Sequence, residues 1–365
     1  MATKKIIYVG AKPDPEKHPG GQVTASLGIL HYAESAGFEL EIIDTARESF
    51  PKRSLLYRLY QSVIRMRALY RLLKQQKVDG VLIFSGGGFS FYEKCALILI
   101  CRLYSAPSLL FVVSGHFMDE CRRSGVLRTI NRLLLRLPTW VGAQGRQWVT
   151  FLEALGVEDD RILLVRNWVS PGRERASAPK RLSGDSVLPT FLFVGWLVRK
   201  KGVLDLLEAV RSSSILQRCK VRLAGNGDLM ACLQEEVKRS ALRNFELLGW
   251  QTHEQIDQLM RGSDVFVLPT YAEGFPNSLV EALSHGMPVI VCPVGAIGDS
   301  AVDGSNALLV PPGDVAALRA AMETFANSPQ LIERYSKKSL ELVERNHDLE
   351  GNLSKLFQVF TSVNS

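Results

Sequence analysis

Short apolar runs alternate with longer amphipathic stretches along the whole chain, the pattern of parallel strands buried on both faces and joined by crossover helices. In the first half the expected strands are IIYVG (6–10), FELEIID (38–44), GVLIF (80–84), SLLFVVS (108–114), WVGA (140–143) and ILLVRN (162–167). The alternation restarts with TFLFVG (190–195), CKVRLAG (219–225), FELLG (245–249), DVFVLP (264–269), MPVIVC (287–292) and ALLVP (307–311). Between the two series lies Ser170 to Pro189, rich in Pro, Ser, Gly and charge, with little to offer a core. The predicted fold class is therefore α/β: two Rossmann-like doubly wound parallel-sheet domains facing across a cleft, over 1–170 and 190–344, with a linker over 171–189. One last helix is expected over 329–363, its end (345–365) packing back on the first domain.

Composition narrows the class. A chain of 365 residues exceeds the usual size of one core, and 46% hydrophobic with 22% charged residues excludes a disordered or collagen-like protein. The longest apolar run, CALILIC (95–101), meets Arg102 well short of the ~20 residues of a membrane span. MATKK leads straight into a strand and leaves no room for a signal peptide, so the expected compartment is the cytoplasm, with association at the inner face of the membrane as an open addition. Six scattered cysteines without a C-x-x-C pair read as reduced, mostly buried thiols.

The net charge of +7 is unevenly spread: residues 1–180 hold 26 Lys and Arg against 16 Asp and Glu, and the remainder 18 against 21. The basic half calls for an anionic partner, whether membrane surface, nucleic acid or phosphorylated substrate. Residues 52–77 form a basic amphipathic helix with Leu55, Leu56, Leu59, Val63, Met66 and Leu73 on one stripe, and 122–138 adds Arg122, Arg123, Arg128, Arg132 and Arg136. Such a helix either lies on an anionic bilayer or packs its leucines inward and solvates its arginines. No nucleic-acid module accompanies the charge, so nucleic acid is not an expected partner.

The sharpest local string is Glu273-Gly-Phe-Pro-Asn-Ser-Leu-Val-Glu281, directly after DVFVLP. Gly274 and Pro276 bend the chain, Asn277 is the expected N-cap, and a helix ends near Gly286. Backbone N–H groups of Asn277, Ser278 and Leu279 would then offer a diphosphate an anion site, with Glu273 and Glu281 as acceptors for ligand hydroxyls. The plainer alternative leaves Glu281 supporting the helix and Glu273 solvated.

EGFPNSLVEA is similar to the E-x7-E signature of the retaining glycosyltransferases of family four, which have the GT-B fold, and the resemblance is most specific from Phe191 to Pro312. It implies a C-terminal domain that binds a nucleotide-sugar donor and an N-terminal domain that binds the acceptor. FVGWLVRKKGVLDLLEAV (193–210) resembles the family's phosphate-holding strand, loop and helix, which implies Lys201 and Arg199 as phosphate cations beside Gly195, with Lys200 as a substitute. Trp196 stands where many relatives carry Arg, which moves weight to Arg199. LAGNGD (223–228) resembles the G-x-G loop, implying Gly225 and Gly227 at the nucleotide. Gly249, Trp250 and Gln251 would border the base, a core role remaining open for Trp250. By the same resemblance Glu273 holds the sugar, Glu281 the ribose diol, and Gly274, Phe275, Asn277, Ser278 and Leu279 the donor.

In the first half Gly20-Gly21 precede a helix, and the resemblance places Gly21 at the donor phosphate and His116, after strand SLLFVVS, at the transferred sugar. Gly86-Gly87-Gly88, after strand GVLIF, either lines the cleft or, as the preferred reading, is a plain loop, and Asp119 and Glu120 read as helix caps or acceptor contacts. There is no D-x-D, so neither metal nor other cofactor is expected. The resemblance implies retaining transfer of a hexose-type sugar from a UDP-sugar, or second a GDP-sugar, to a hydroxyl of a glycan or a phosphorylated, lipid-linked acceptor in bacterial cell-surface polysaccharide synthesis. A nucleotide-sugar 2-epimerase of the same fold and a non-catalytic sugar-nucleotide-binding module are the alternatives.

Overall fold

The computed structural model describes residues 3–13, 21–45, 54–172, 175–180, 182 and 188–362. They divide into two compact units, one up to Pro171 and again from Asp348, the other Gly172–His347. The first runs β1 (Lys4–Gly10), α1 (Gly21–Ser35), β2 (Phe38–Asp44), α2 (Leu55–Gln75), β3 (Gly80–Ser85), α3 (Phe89–Leu103), β4 (Ser108–Val112), α4 (Gly115–Arg123), α5 (Gly125–Leu134), β5 (Trp140–Ala143), α6 (Arg146–Ala154) and β6 (Ile162–Leu164). The second runs β7 (Thr190–Val194), α7 (Val203–Arg211), β8 (Lys220–Ala224), α8 (Met230–Arg239), β9 (Phe245–Gly249), α9 (His253–Arg261), β10 (Val265–Leu268), α10 (Asn277–Ser284), β11 (Val289–Val291), β12 (Ala307–Leu309), α11 (Val315–Asn327) and α12 (Pro329–Asn346). The chain then returns to the first unit as α13 (Leu349–Gln358).

Each unit is built on a six-stranded parallel sheet, in the orders β2-β1-β3-β4-β5-β6 and β12-β11-β10-β7-β8-β9. In the first, β1 pairs with β2 (Ile6 opposite Leu40) and with β3 (Ile6 opposite Gly80), so the order reverses between β1 and β3. Right-handed crossovers then put α1 on one face and α2 to α6 on the other. The interior strand β3, GVLIFS, is buried at every residue, whereas the edge strand β2 exposes Glu39 and Glu41 in part.

The α1 face of the first sheet is closed by the chain's last helix: Leu353, Leu356, Phe357 and Phe360 are buried with Tyr8, Ile29, Leu82 and Phe111 in one core. The single helix expected over 329–363 is in fact two. The His347 N–H donates to Val343 O at 2.9 Å and closes α12, and the Asp348 carboxylate accepts the Gly351 N–H at 2.7 Å as the N-cap of α13. Apolar periodicity runs through both helices and hides the break.

Part of the expected linker belongs to the second unit. Ala176 N–H donates to Ser284 O (2.9 Å), Lys180 N–H to Ser336 Oγ (2.7 Å), and the Lys180 ammonium to the carbonyls of Met260 (2.6 Å) and Arg261 (2.7 Å). Burial pushes Lys180 down to about 8. Residues 173–174, 181 and 183–187 of that stretch lie outside the described residues.

Of the two readings open for the basic helix α2, inward-packed leucines do not hold for its first half. Ser62, Arg65, Leu69 and Leu73 are its buried residues, while Leu55, Leu56, Leu59 and Val63 of the expected stripe are exposed. Arg65 is drawn inward because Glu93 of α3 is wholly buried: Arg65 Nη1 reaches its Oε1 at 2.7 Å and Lys94 Nζ its Oε2 at 2.8 Å. Burial alone would raise the Glu93 pKa, but Lys94 and Arg65 outweigh it and hold the group below its usual range.

Candidate functional site

The C-terminal ends of β7 and β10 converge on one ion pair. After β7 the segment Arg199–Lys201 forms a single 3-10 turn, closed by Gly202 at φ +70°. A Cβ there would lie 2.0 Å from Pro269 O, so only glycine lets the turn press against the end of β10. Lys200 O accepts from the Tyr271 N–H (2.8 Å) and the Thr270 hydroxyl (3.1 Å), which fixes the turn against the next loop. Lys201 Nζ thereby donates to Glu273 Oε1 across 72 residues of sequence, both side chains 13% exposed. Thr270 Oγ1 lies 3.2 Å from the same carboxylate oxygen. Arg199 and Lys200 are exposed beside the pair.

Gly274 and the residues after it lead into α10. Its N-cap is Pro276, in extended conformation, and Asn277 is the first helical residue, so the expected Asn277 side-chain cap does not form. Of the three expected N–H donors, that of Leu279 is engaged with Pro276 O at 3.1 Å, inside the first turn of the helix. Phe275 is buried, its ring 5.5 Å from that of His347, so it anchors the loop from beneath. Glu281 is 9% exposed, on the same helix.

The glycine loops after β7, β8 and β9 are stitched together. Gly195 N–H donates to Ala224 O (3.0 Å), Leu197 N–H to Asn226 O (2.9 Å) and Gly225 N–H to Gly249 O (2.8 Å). A Cβ on Gly225 would sit 1.8 Å from Gly195 O and one on Gly227 2.5 Å from Leu197 O, which is why this crossing carries glycine. Trp250 is 49% exposed, with its ring centroid 6.2 Å from that of Trp196, so it is a surface aromatic and not a core one. The Gln251 amide turns back to Leu248 O at 2.7 Å.

His116 and Gly21 belong to the first unit, at the start of α4 and α1. His116 is exposed, its Nε2 3.4 Å from Glu120 Oε1, and Glu120 Oε2 accepts the Gly88 N–H at 3.0 Å at the start of α3. The triple glycine is therefore no plain loop but part of a His116–Glu120 cluster at the C-terminal ends of β3 and β4. Gly20 and His18 lie outside the described residues.

Thr270 and the pair Tyr271–Asp205 escaped sequence reasoning. The Tyr271 hydroxyl donates to Asp205 Oδ2 at 2.8 Å, and this bond, with burial second, raises its pKa. Only the placement of Thr270 directly after DVFVLP hinted at a role. Among the described residues no group of three or more His, Cys, Asp or Glu is placed to hold a metal ion, and no helix is long and apolar enough to cross a membrane. Chemically, the second unit presents a fixed cation, a carboxylate acceptor and a helix N-terminus within one rim, a set suited to an anion carrying hydroxyls.

Residues 176–341 match the family described as glycosyl transferases group 1. The chain is 24% identical over 274 residues to the glycogen synthase of Mycobacterium tuberculosis, covering 72% of this chain and 65% of that protein. It is 27% identical over 267 residues to the UDP-Gal:alpha-D-GlcNAc-diphosphoundecaprenol alpha-1,3-galactosyltransferase of Escherichia coli, covering 66% and 62%. The matches thus span less than two thirds of each relative's length. The sucrose-phosphate synthase structure from Thermosynechococcus elongatus superposes with a TM-score of 0.80 over 99% of both chains at 16% identity. That likeness establishes the fold, which is GT-B.

Proposed function

Because residues 176–341 belong to the glycosyl transferases group 1 family, we propose that the protein is a retaining glycosyltransferase moving a hexose-type sugar from a nucleotide-sugar donor to a hydroxyl of a glycan or lipid-linked acceptor. The observation that carries this reading is the Lys201–Glu273 pair, held at the C-terminal edge of the second sheet, where parallel sheets bind ligands. Lys201 and Arg199 stabilise the departing diphosphate, joined by the N–H groups of Asn277 and Ser278. Glu273 holds the sugar hydroxyls and Glu281 the ribose diol. No covalent nucleophile is invoked; positioning and electrostatics supply the rate, and the acceptor attacks on the face from which the diphosphate leaves.

The donor is read as a UDP-sugar first and a GDP-sugar second, supported by the UDP-galactose named for the E. coli relative. That relative's diphosphoundecaprenol acceptor, and the excess of positive charge before residue 180, support a phosphorylated, lipid-linked acceptor in cell-surface polysaccharide synthesis. The test is a thermal-shift screen of nucleoside diphosphates followed by incubation with the matching nucleotide sugar, with and without acceptor lipid, read by NMR. UDP is expected to stabilise the protein and transfer to require acceptor, with loss in Lys201→Ala and Glu273→Ala. An epimerised nucleotide sugar without acceptor, or transfer unchanged in both variants, would overturn the reading.

A further inference from the structure

The face of the first unit formed by α2, α3 and α5 leaves apolar side chains in solvent on a scale the other described residues do not approach. Thirteen of the sixteen large hydrophobic residues exposed among the described residues lie on these three helices. On α2, Leu56, Leu59, Tyr60 and Val63 share one side, 59 and 60 lying three and four residues from both 56 and 63, turned away from the buried Ser62, Arg65 and Leu69. Leu56 is 79% exposed, Leu103 at the end of α3 81% and Val126 on α5 70%. All three helices belong to the same side of the sheet, since every step from β2 to β6 runs in one direction. A soluble surface rarely keeps so many apolar groups on one face without a use for them.

The charge around these groups selects the occupant. Residues 51–78 carry eight Lys and Arg and no Asp or Glu, and residues 121–152 carry six and none. Exposed Arg67, Arg71 and Lys74 border the α2 stripe, and Arg128 and Arg132 lie on α5 among Val126, Ile130 and Leu133. A second copy of this face would set like charge against like charge, which opposes self-association. A bilayer with anionic headgroups meets both features at once: leucine, valine and tyrosine enter the headgroup and acyl boundary while the cations stay among the phosphates.

We infer that the α2–α3–α5 face is a membrane-docking surface, which seats the first unit on an anionic bilayer by shallow insertion of Leu56, Leu59, Tyr60, Val63, Leu103 and Val126. This inference is independent of the transfer chemistry, because its readout is partition and not turnover.

The experiment is co-sedimentation of the whole protein with vesicles of phosphatidylglycerol and phosphatidylcholine, against phosphatidylcholine alone, at low and at 0.5 M salt. Binding is expected to the anionic vesicles only and to weaken with salt. The variant Arg67→Gln/Arg71→Gln/Lys74→Gln is expected to bind about a hundredfold less tightly, about fivefold per charge removed. The variant Leu56→Gln/Tyr60→Gln/Val63→Gln, at sites that are already in water, is expected to lose more than tenfold while melting as the parent does by circular dichroism. Parent protein that stays in the supernatant with anionic vesicles overturns the inference, as does equal binding to neutral ones. So does self-association without vesicle binding that the apolar variant abolishes, for then the occupant is a second copy. Were either variant to unfold, the lipid and salt dependence of the parent alone would still decide.

Discussion

Replacing Lys201 with Met leaves the Glu273 carboxylate 13% exposed, with the Thr270 hydroxyl as its neighbour. Two opposite charges about 4 Å apart attract by about 4 kcal/mol at an effective dielectric of about 20. Removing both from water consumes much of that, so the coupling recovered from a double-mutant cycle is expected at about 1–3 kcal/mol. Lys201→Met and Glu273→Gln should each destabilise the second unit, and the double variant should cost less than the sum by that amount. Hydrogen exchange at the amides of β7 and β10 across a urea series reads the second unit without the first. In transfer assays the lysine variant should lose about 10²–10³ in kcat, the loss typical of one electrostatic stabiliser of a departing charge. A coupling under about 0.5 kcal/mol, or a kcat within tenfold of the parent, would refute the claim that this pair is a built element of the site.

The buried triad offers a second test: Glu93→Gln removes the carboxylate that Arg65 and Lys94 share and should destabilise the first unit by about 3–5 kcal/mol, whereas replacing Arg65, Glu93 and Lys94 together by Met, Leu and Met should be close to neutral in urea unfolding. Since the Glu93 pKa is held below its usual 4.5, its share of stability is full above that pH and is lost as pH falls through the lowered value. The stability of the first unit against unfolding should therefore fall from pH 6 to pH 3, with Glu93→Gln flatter over the same window. Gly225→Ala would bring a Cβ to 1.8 Å from Gly195 O and should part the stitched loops, lowering the UDP-induced thermal shift by half or more. Of the six thiols only Cys232 is exposed, so one equivalent should react with a disulfide reagent in the native protein. Cys95, Cys101 and Cys292, pushed up to about 12 by burial, should react only on unfolding.

The strands were legible because parallel interior strands are apolar on both faces; β5 and β9 fall on the residues WVGA and FELLG that the pattern names. Boundaries set by a cap or a long-range bond were not. The break at His347–Asp348 depends on an Asp side chain reaching Gly351, and the docking of Lys180 depends on carbonyls some 80 residues away, so neither leaves a periodic trace. In α2 the apolar pattern left two orientations open, and a long-range pair decides between them: the buried Glu93 draws Arg65 inward, and the leucines at the helix start are left outside. At the candidate site the sequence named Lys201 and Glu273 but could not pair them, because that needs the turn closed by Gly202 against Pro269.

The return of α13 to the first unit has a consequence for how the chain is made. When residue 171 leaves the ribosome the first sheet exists, but the side chains that close its α1 face, Leu353 to Phe360, are still unsynthesised. The second unit, contiguous from Gly172 to His347, has every residue it needs as soon as His347 has emerged. At about 5–20 residues per second the first unit waits on the order of 10–40 s with one face open. The later half thus matures first, and a chain stopped at His347 should resist protease in its second unit and yield in its first.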